Sequence, residues 1–279
     1  MMRQTVRRAL LTISVMVFFF FVMGTGVVLA STVDIEGDLT YRFAVTPGQE
    51  IRGQLVIRNN DKEQPVQVAI NQSDYLTYAD GRNDYGQPGS TSRSNALWMV
   101  LTPRQLTIPP SGTAIVNYVI QVPKDPSLCG TYWSMIMVEP LDQFMLEPPK
   151  GIDSNMAFNV MTIFKYAVQM ITDIGNTGIR NIEFADKKLI SDGSKSVLAL
   201  DIVNTGERVI RPLVWTELYD EQGNLAGRFE GGQRWIFPEC SCRFEIPFQG
   251  VKAGEYKALV IADGGEDEAF GAQYALVLK

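Results

Sequence analysis

The apolar residues of this 279-residue chain fall into short runs closed by Gly, Pro, Asn or Asp, and that rhythm restricts its fold more than any other feature. Runs occupy 54–58, 66–70, 114–122 and 132–138, and again 197–203, 213–218, 243–248 and 256–262. Each alternates apolar with polar residues or is briefly apolar throughout, as half-buried and sandwich-core strands do. No window keeps a helical period beyond about two turns. Many short strands with regular turn signals predict an all-β chain built of sandwiches.

Three landmarks occur twice in the same order, which points to an internal repeat. The first is a strand ending in Asn, a polar turn and a second strand: Leu55-Val-Ile-Arg-Asn59 leading to Val66, and Leu200-Asp-Ile-Val-Asn204 leading to Pro212. The second is a strand stopped by proline, Leu106-Thr-Ile-Pro109 and Trp235-Ile-Phe-Pro238. The third is Gly-x-Tyr opening an apolar strand, Gly130-Thr-Tyr132 and Gly254-Glu-Tyr256. Two tandem immunoglobulin-like β-sandwich domains are therefore expected, at 31–172 and 173–279. The linker falls on Asp173-Ile-Gly-Asn-Thr-Gly178, rich in glycine and polar residues. The first domain also carries a polar loop at about 75–95, and long loops in compact domains are often functional.

Residues 1–30 read as a signal peptide. Arg3, Arg7 and Arg8 precede an apolar stretch from Ala9 to Met23, and Val28-Leu29-Ala30 offers small residues for cleavage before Ser31. The mature chain is expected to be exported, to the periplasm or the cell surface, without membrane insertion. The first 30 residues hold no acidic group, so the rest is more acidic than the formal net charge of −6. Such a surface argues against nucleic acid as a partner.

The chain has no histidine. Histidine-dependent triads and histidine-ligated metal sites are thereby excluded, and no acid–base constellation stands out. The expectation is a protein that is not an enzyme, with no catalytic residues, cofactor or metal. Asp80-Gly-Arg-Asn-Asp84 lacks the spacing of a calcium loop and reads as a turn. Of the cysteines Cys129, Cys240 and Cys242, the Cys240-Ser-Cys242 pair is expected to combine a small buried residue with an opportunistic bridge. Trp98, Trp133, Trp215 and Trp235 are expected in the cores or a domain interface, or as an aromatic patch for carbohydrate.

The segment 156–170 alternates for most of its length, with large residues at Met156, Phe158, Val160 and Phe164. It reads as the last strand of the first domain, or as an edge strand able to pair with another chain. Here the sequence resembles a known family. Tyr41-Arg42-Phe43, Leu55-Val-Ile-Arg-Asn59, Leu101-Thr-Pro-Arg-Gln-Leu-Thr-Ile-Pro109, the stretch from Val122 to Val138, and Ile163-Phe-Lys165-Tyr166 resemble the N-terminal domain of periplasmic (PapD-like) pilus-assembly chaperones. The first domain is similar to WxL-interacting surface proteins as well, which share Pro47-Gly48 followed by a strand and Asn. The chaperone resemblance implies a protein partner, an exported subunit or surface protein held by β-strand addition during pilus assembly. It implies Arg42 and Lys165 as anchors for the client's terminal carboxylate, and Met156, Phe158 and Val160 as the side chains of the added edge. The alternative expectation is a cell-envelope or surface adhesion module for peptidoglycan, carbohydrate or protein, with no chaperone role.

Overall fold

The computed structural model describes residues 33–141, 164–192, 195–265 and 268–279. The expected signal peptide and the residues Met156, Phe158 and Val160 lie outside them.

The first half of the chain forms β1 (Val33–Glu36), β2 (Thr40–Val45), β3 (Glu50–Asn59), β4 (Val66–Thr77), β5 (Asn83–Gly86), β6 (Met99–Thr102), β7 (Gln105–Ile108), β8 (Thr113–Gln121), β9 (Gly130–Pro140) and β10 (Tyr166–Ile174). They make two sheets, ordered β1-β3-β8-β6 and β2-β10-β9-β4-β5, with β7 also pairing β4. Alternation decides which side chains enter the core. In β8, Val116, Tyr118 and Ile120 point inward while Ile115 and Asn117 face out. Gly37, at φ 106°, turns the chain between the sheets, so β1 pairs with β3 while β2 runs parallel to β10.

The second half forms β11 (Ile182–Asp192), β12 (Lys195–Asn204), β13 (Leu213–Tyr219), β14 (Leu225–Gln233), β15 (Ser241–Phe248), β16 (Gly254–Gly265) and β17 (Glu268–Leu278). Their sheets are β11-β12-β15 and β14-β13-β16-β17. The pairs β3-β8 and β12-β15 match, as do the triplets β10-β9-β4 and β17-β16-β13, which is the Greek-key order of immunoglobulin-like sandwiches. Tyr256, at the start of β16, donates its hydroxyl to the Lys252 carbonyl (3.1 Å), the tyrosine corner of this fold.

The repeated landmarks have a common physical cause. Asn59 ends β3, is buried, and donates to the carbonyls of Gln64 (2.8 Å), Ile108 (3.2 Å) and Pro109 (3.1 Å). Asn204 ends β12, is equally buried, and donates to Arg208 (2.8 Å) and Ile236 (2.8 Å). Their backbone N–H groups reach Gly112 and Cys240 across the same turn. In each turn a proline, Pro110 or Pro238, is followed by a residue at positive φ, Ser111 (54°) or Glu239 (65°), as a type II turn requires. Thus Pro238 matches Pro110 rather than Pro109, a one-residue correction to the sequence alignment of the landmarks.

The polar stretch at 75–95 is more ordered than its composition suggests. β4 continues through Thr77, and β5 folds back on it as a hairpin. Asp74, fully buried, then gathers the return. It accepts from Thr91 N–H (2.8 Å), Gly89 N–H (3.2 Å), Ser90 Oγ (3.1 Å) and Ser94 Oγ (2.5 Å).

Replacing Asn59 or Asn204 by alanine takes the side-chain donor from buried carbonyls, those of Ile108 in the first sandwich and of Arg208 and Ile236 in the second. Each substitution should lower the unfolding free energy by about 2–3 kcal/mol, measured as a shift in the urea midpoint at constant slope.

Candidate functional site

Two regions of the first sandwich bear on function, and both lie on β9 and β10. The first is the junction with the second sandwich. Along the first residues of β9 and the last of β10, Thr131, Trp133, Ile171 and Asp173 are buried although they face away from the first core. Trp133 and Ile171 belong to the second hydrophobic core, with Val209, Ile236 and Phe237. The Trp133 and Phe237 rings lie 5.0 Å apart, and Trp133 Nε1 donates to the Tyr75 carbonyl (2.8 Å).

Polar groups fix the same junction. Asp173 accepts from Thr131 Oγ1 (2.5 Å) and from Arg42 Nε (2.5 Å), while Thr131 Oγ1 accepts from the Val209 N–H (3.0 Å). Arg208, almost fully buried, donates to the carbonyls of Gly175 (2.9 Å) and Thr177 (3.0 Å). The expected linker is therefore held closely. Its first two residues, Asp173 and Ile174, still belong to β10. Arg93 joins Glu207 (3.2 Å) and donates to the Cys129 carbonyl (2.9 Å). Hydrogen bonds from the Ile179 N–H and the Cys129 thiol, together with the Arg93 charge, hold the Glu207 carboxyl below the usual range.

Arg42 stands at the rim of this junction, opposite Ile171. Its guanidinium lies 5.0 Å from the centre of the Trp235 ring, and Arg211 approaches the same ring at 5.3 Å. Trp235 is 44% exposed, so it is neither core nor buried interface, and Trp215 lies under Arg228 at 4.2 Å. Trp98 packs on Tyr132 at 4.6 Å. A rim of two arginines around one indole was not foreseen. Arg211 and Trp235 belong to different parts of the sequence, and no local motif joins them.

The second region is the start of β10. Lys165 precedes Tyr166 and pairs with Glu139 of β9 at 2.5 Å. Six positions separate it from Ile171, the partner of Arg42, which at ~3.3 Å per residue puts the two backbones roughly 20 Å apart. Arg42 and Lys165 thus do not converge on one carboxylate. Each is already matched to its own acid, Asp173 and Glu139.

Pairing of β10 is uneven. β9 accompanies it from Tyr166 to Ile174, but β2 joins only from Gln169. Among the described residues no strand covers the other edge over Tyr166, Ala167 and Val168.

Cys129, Cys240 and Cys242 are free thiols, so the expected bridge is absent. Cys240 is buried and accepts from the Thr77 N–H (3.5 Å), and burial pushes both its thiol and that of Cys242 up. Among the described residues there is no group of three or more potential metal ligands, and no helix is long and apolar enough to cross a membrane.

No protein-family model and no curated protein matches the sequence. Among the solved structures similar to it are chaperones of fimbriae and pili, alone or with a subunit. One is a chaperone–tip adhesin complex of CFA/I fimbriae biogenesis, at 10% identity over 89% of this chain and 100% of that chain, TM-score 0.45. Another is the class 5 fimbriae chaperone CfaA, at 11% identity over 88% and 100%, TM-score 0.42. A third is the CsuC–CsuE pre-assembly complex of Acinetobacter baumannii, at 10% identity over 87% and 98%, TM-score 0.41. Likeness at this level leaves the description of the fold to the strand order itself.

Two outcomes are expected. In thiol titration three groups should react under denaturing conditions, with Cys240 the slowest in the native protein. Glu207 has a lowered native pKa, so its contribution is complete above its unfolded value, about 4.3, and is lost as pH falls through the native one. The urea midpoint should therefore drop on acidification below about pH 4.3, and Glu207→Gln should make that drop smaller.

Proposed function

We propose that this chain is an exported, non-enzymatic binding protein that holds a protein subunit by β-strand addition along β10. The observation that carries this reading is the open edge at Tyr166, Ala167 and Val168, paired on one side only. Unpaired strand edges recruit further strands because their N–H and C=O groups are unsatisfied. Met156, Phe158 and Val160 precede that edge in sequence, and their alternation supplies side chains for one face of an added pairing. Lys165 stands at the open end. Arg42, with Arg211 and Trp235, stands at the closed end, where a partner's carboxylate would meet guanidinium groups. The sequence resemblance to pilus-assembly chaperones supports the same reading, with the periplasm or cell surface as its place of action.

The test is capture of exported subunits by the tagged protein, followed by amide hydrogen exchange on the complex. The Ala167 amide, on the same side of β10 as the Gln169 N–H that donates to Leu39, should slow on complex formation, and Ala167→Pro should reduce capture at least tenfold. Unchanged exchange there, or full capture by the proline variant, overturns the reading.

A further inference from the structure

The outer face of the β2-β10-β9-β4-β5 sheet carries a cleft at the end away from the junction. It has a volume of about 500 Å³, within the range of small-molecule sites, and its walls include Asn71, Ser73, Tyr85, Arg104, Glu139 and Lys165. The hairpin of β4 and β5 raises Tyr85 at its side. The Tyr85 ring is 54% exposed and braced against Tyr75 at 4.9 Å, whose hydroxyl donates to Asn83 Oδ1 (2.9 Å). Asp74 fixes the chain that follows the hairpin, so this wall is held rather than loose.

Charge in the cleft is unbalanced. Glu139 and Lys165 neutralise one another. Arg104 is exposed and has no carboxylate partner among the described residues, so the described lining of the cleft carries a net positive charge on an acidic chain. The floor strands β4 and β9 are paired to each other, so no free edge lies there for a peptide strand. Nor do the walls form the deep apolar socket that anchors a protein hot spot. They offer a flat aromatic face, an amide, a hydroxyl and a guanidinium fork.

We propose that this cleft binds an acidic saccharide, a pyranose bearing a carboxylate. Tyr85 lies against the apolar face of the ring, Arg104 takes the carboxylate through two parallel hydrogen bonds, and Asn71 with the Glu139–Lys165 pair meets the hydroxyls. This site shares Lys165 with the open end of β10 but lies on the outer face of the sheet, and it does not depend on strand addition.

Titration calorimetry of the full chain with tetragalacturonate tests it, with neutral cellotetraose and tetraglutamate as comparisons. Tetragalacturonate should bind saturably and at least tenfold more tightly than either. Arg104→Gln and Tyr85→Ala, both at exposed positions and checked by circular dichroism, should each weaken it at least tenfold. Absence of saturable binding overturns the proposal, as does an unchanged affinity in either folded variant. Equal binding of cellotetraose removes the role of the carboxylate. Equal binding of tetraglutamate shows that the cleft collects acidic peptides instead.

Discussion

Each sandwich is closed by one buried asparagine. Asn59 ends β3 and Asn204 ends β12, and each ties its strand to a proline turn that lies far along the chain. An amide is suited to this position because it donates twice and accepts once without carrying charge into the core. The turn it grips must reverse within four residues, which brings the proline and the positive-φ residue with it. The loops that follow inherit their direction from this clamp. The turn after Asn204 delivers Arg208 and Val209 to the junction, and the turn gripped by Asn204 delivers Phe237 and Cys240. Without the two amides, these turns would lose the side-chain hydrogen bonds that tie them to β3 and β12.

The junction differs in character from the cores. Trp133 and Ile171 enter the second core from the first sandwich, and around them a set of arginines and carboxylates is satisfied mostly by backbone groups. Apolar area there gives attraction without direction, while the hydrogen bonds of Arg208 and Asp173 fix orientation. The two halves of the chain therefore share contacts that are specific as well as apolar.

Much of the architecture was legible because it is local. Alternation marks β8 and β13, and the repeated Asn, Pro and Gly-x-Tyr landmarks mark corresponding places in both sandwiches. Less legible were strands whose inward and outward residues are mixed in polarity. β11 carries a run of charged residues, and β14 and β17 are rich in small ones. The stretch after Tyr75 looked like a loop because its glycines and polar residues serve a hairpin and the buried Asp74. The site was read least well. Resemblance placed Arg42 and Lys165 together, yet strand register sets them far apart, and register between distant segments leaves no mark in a single sequence. The Arg42–Trp235–Arg211 rim and the Tyr85–Arg104 cleft are assembled by topology in the same way.

The late arrival of β2 beside β10 has a mechanical meaning. Gln169 donates its N–H to the Leu39 carbonyl, so the edge that is open through Val168 is shut one residue later. A strand laid against β10 from that side meets a physical stop. Sliding by one residue would turn every side chain of the incoming strand to the opposite face. A stop at a fixed residue removes that freedom, and a backbone interaction indifferent to sequence acquires a defined phase.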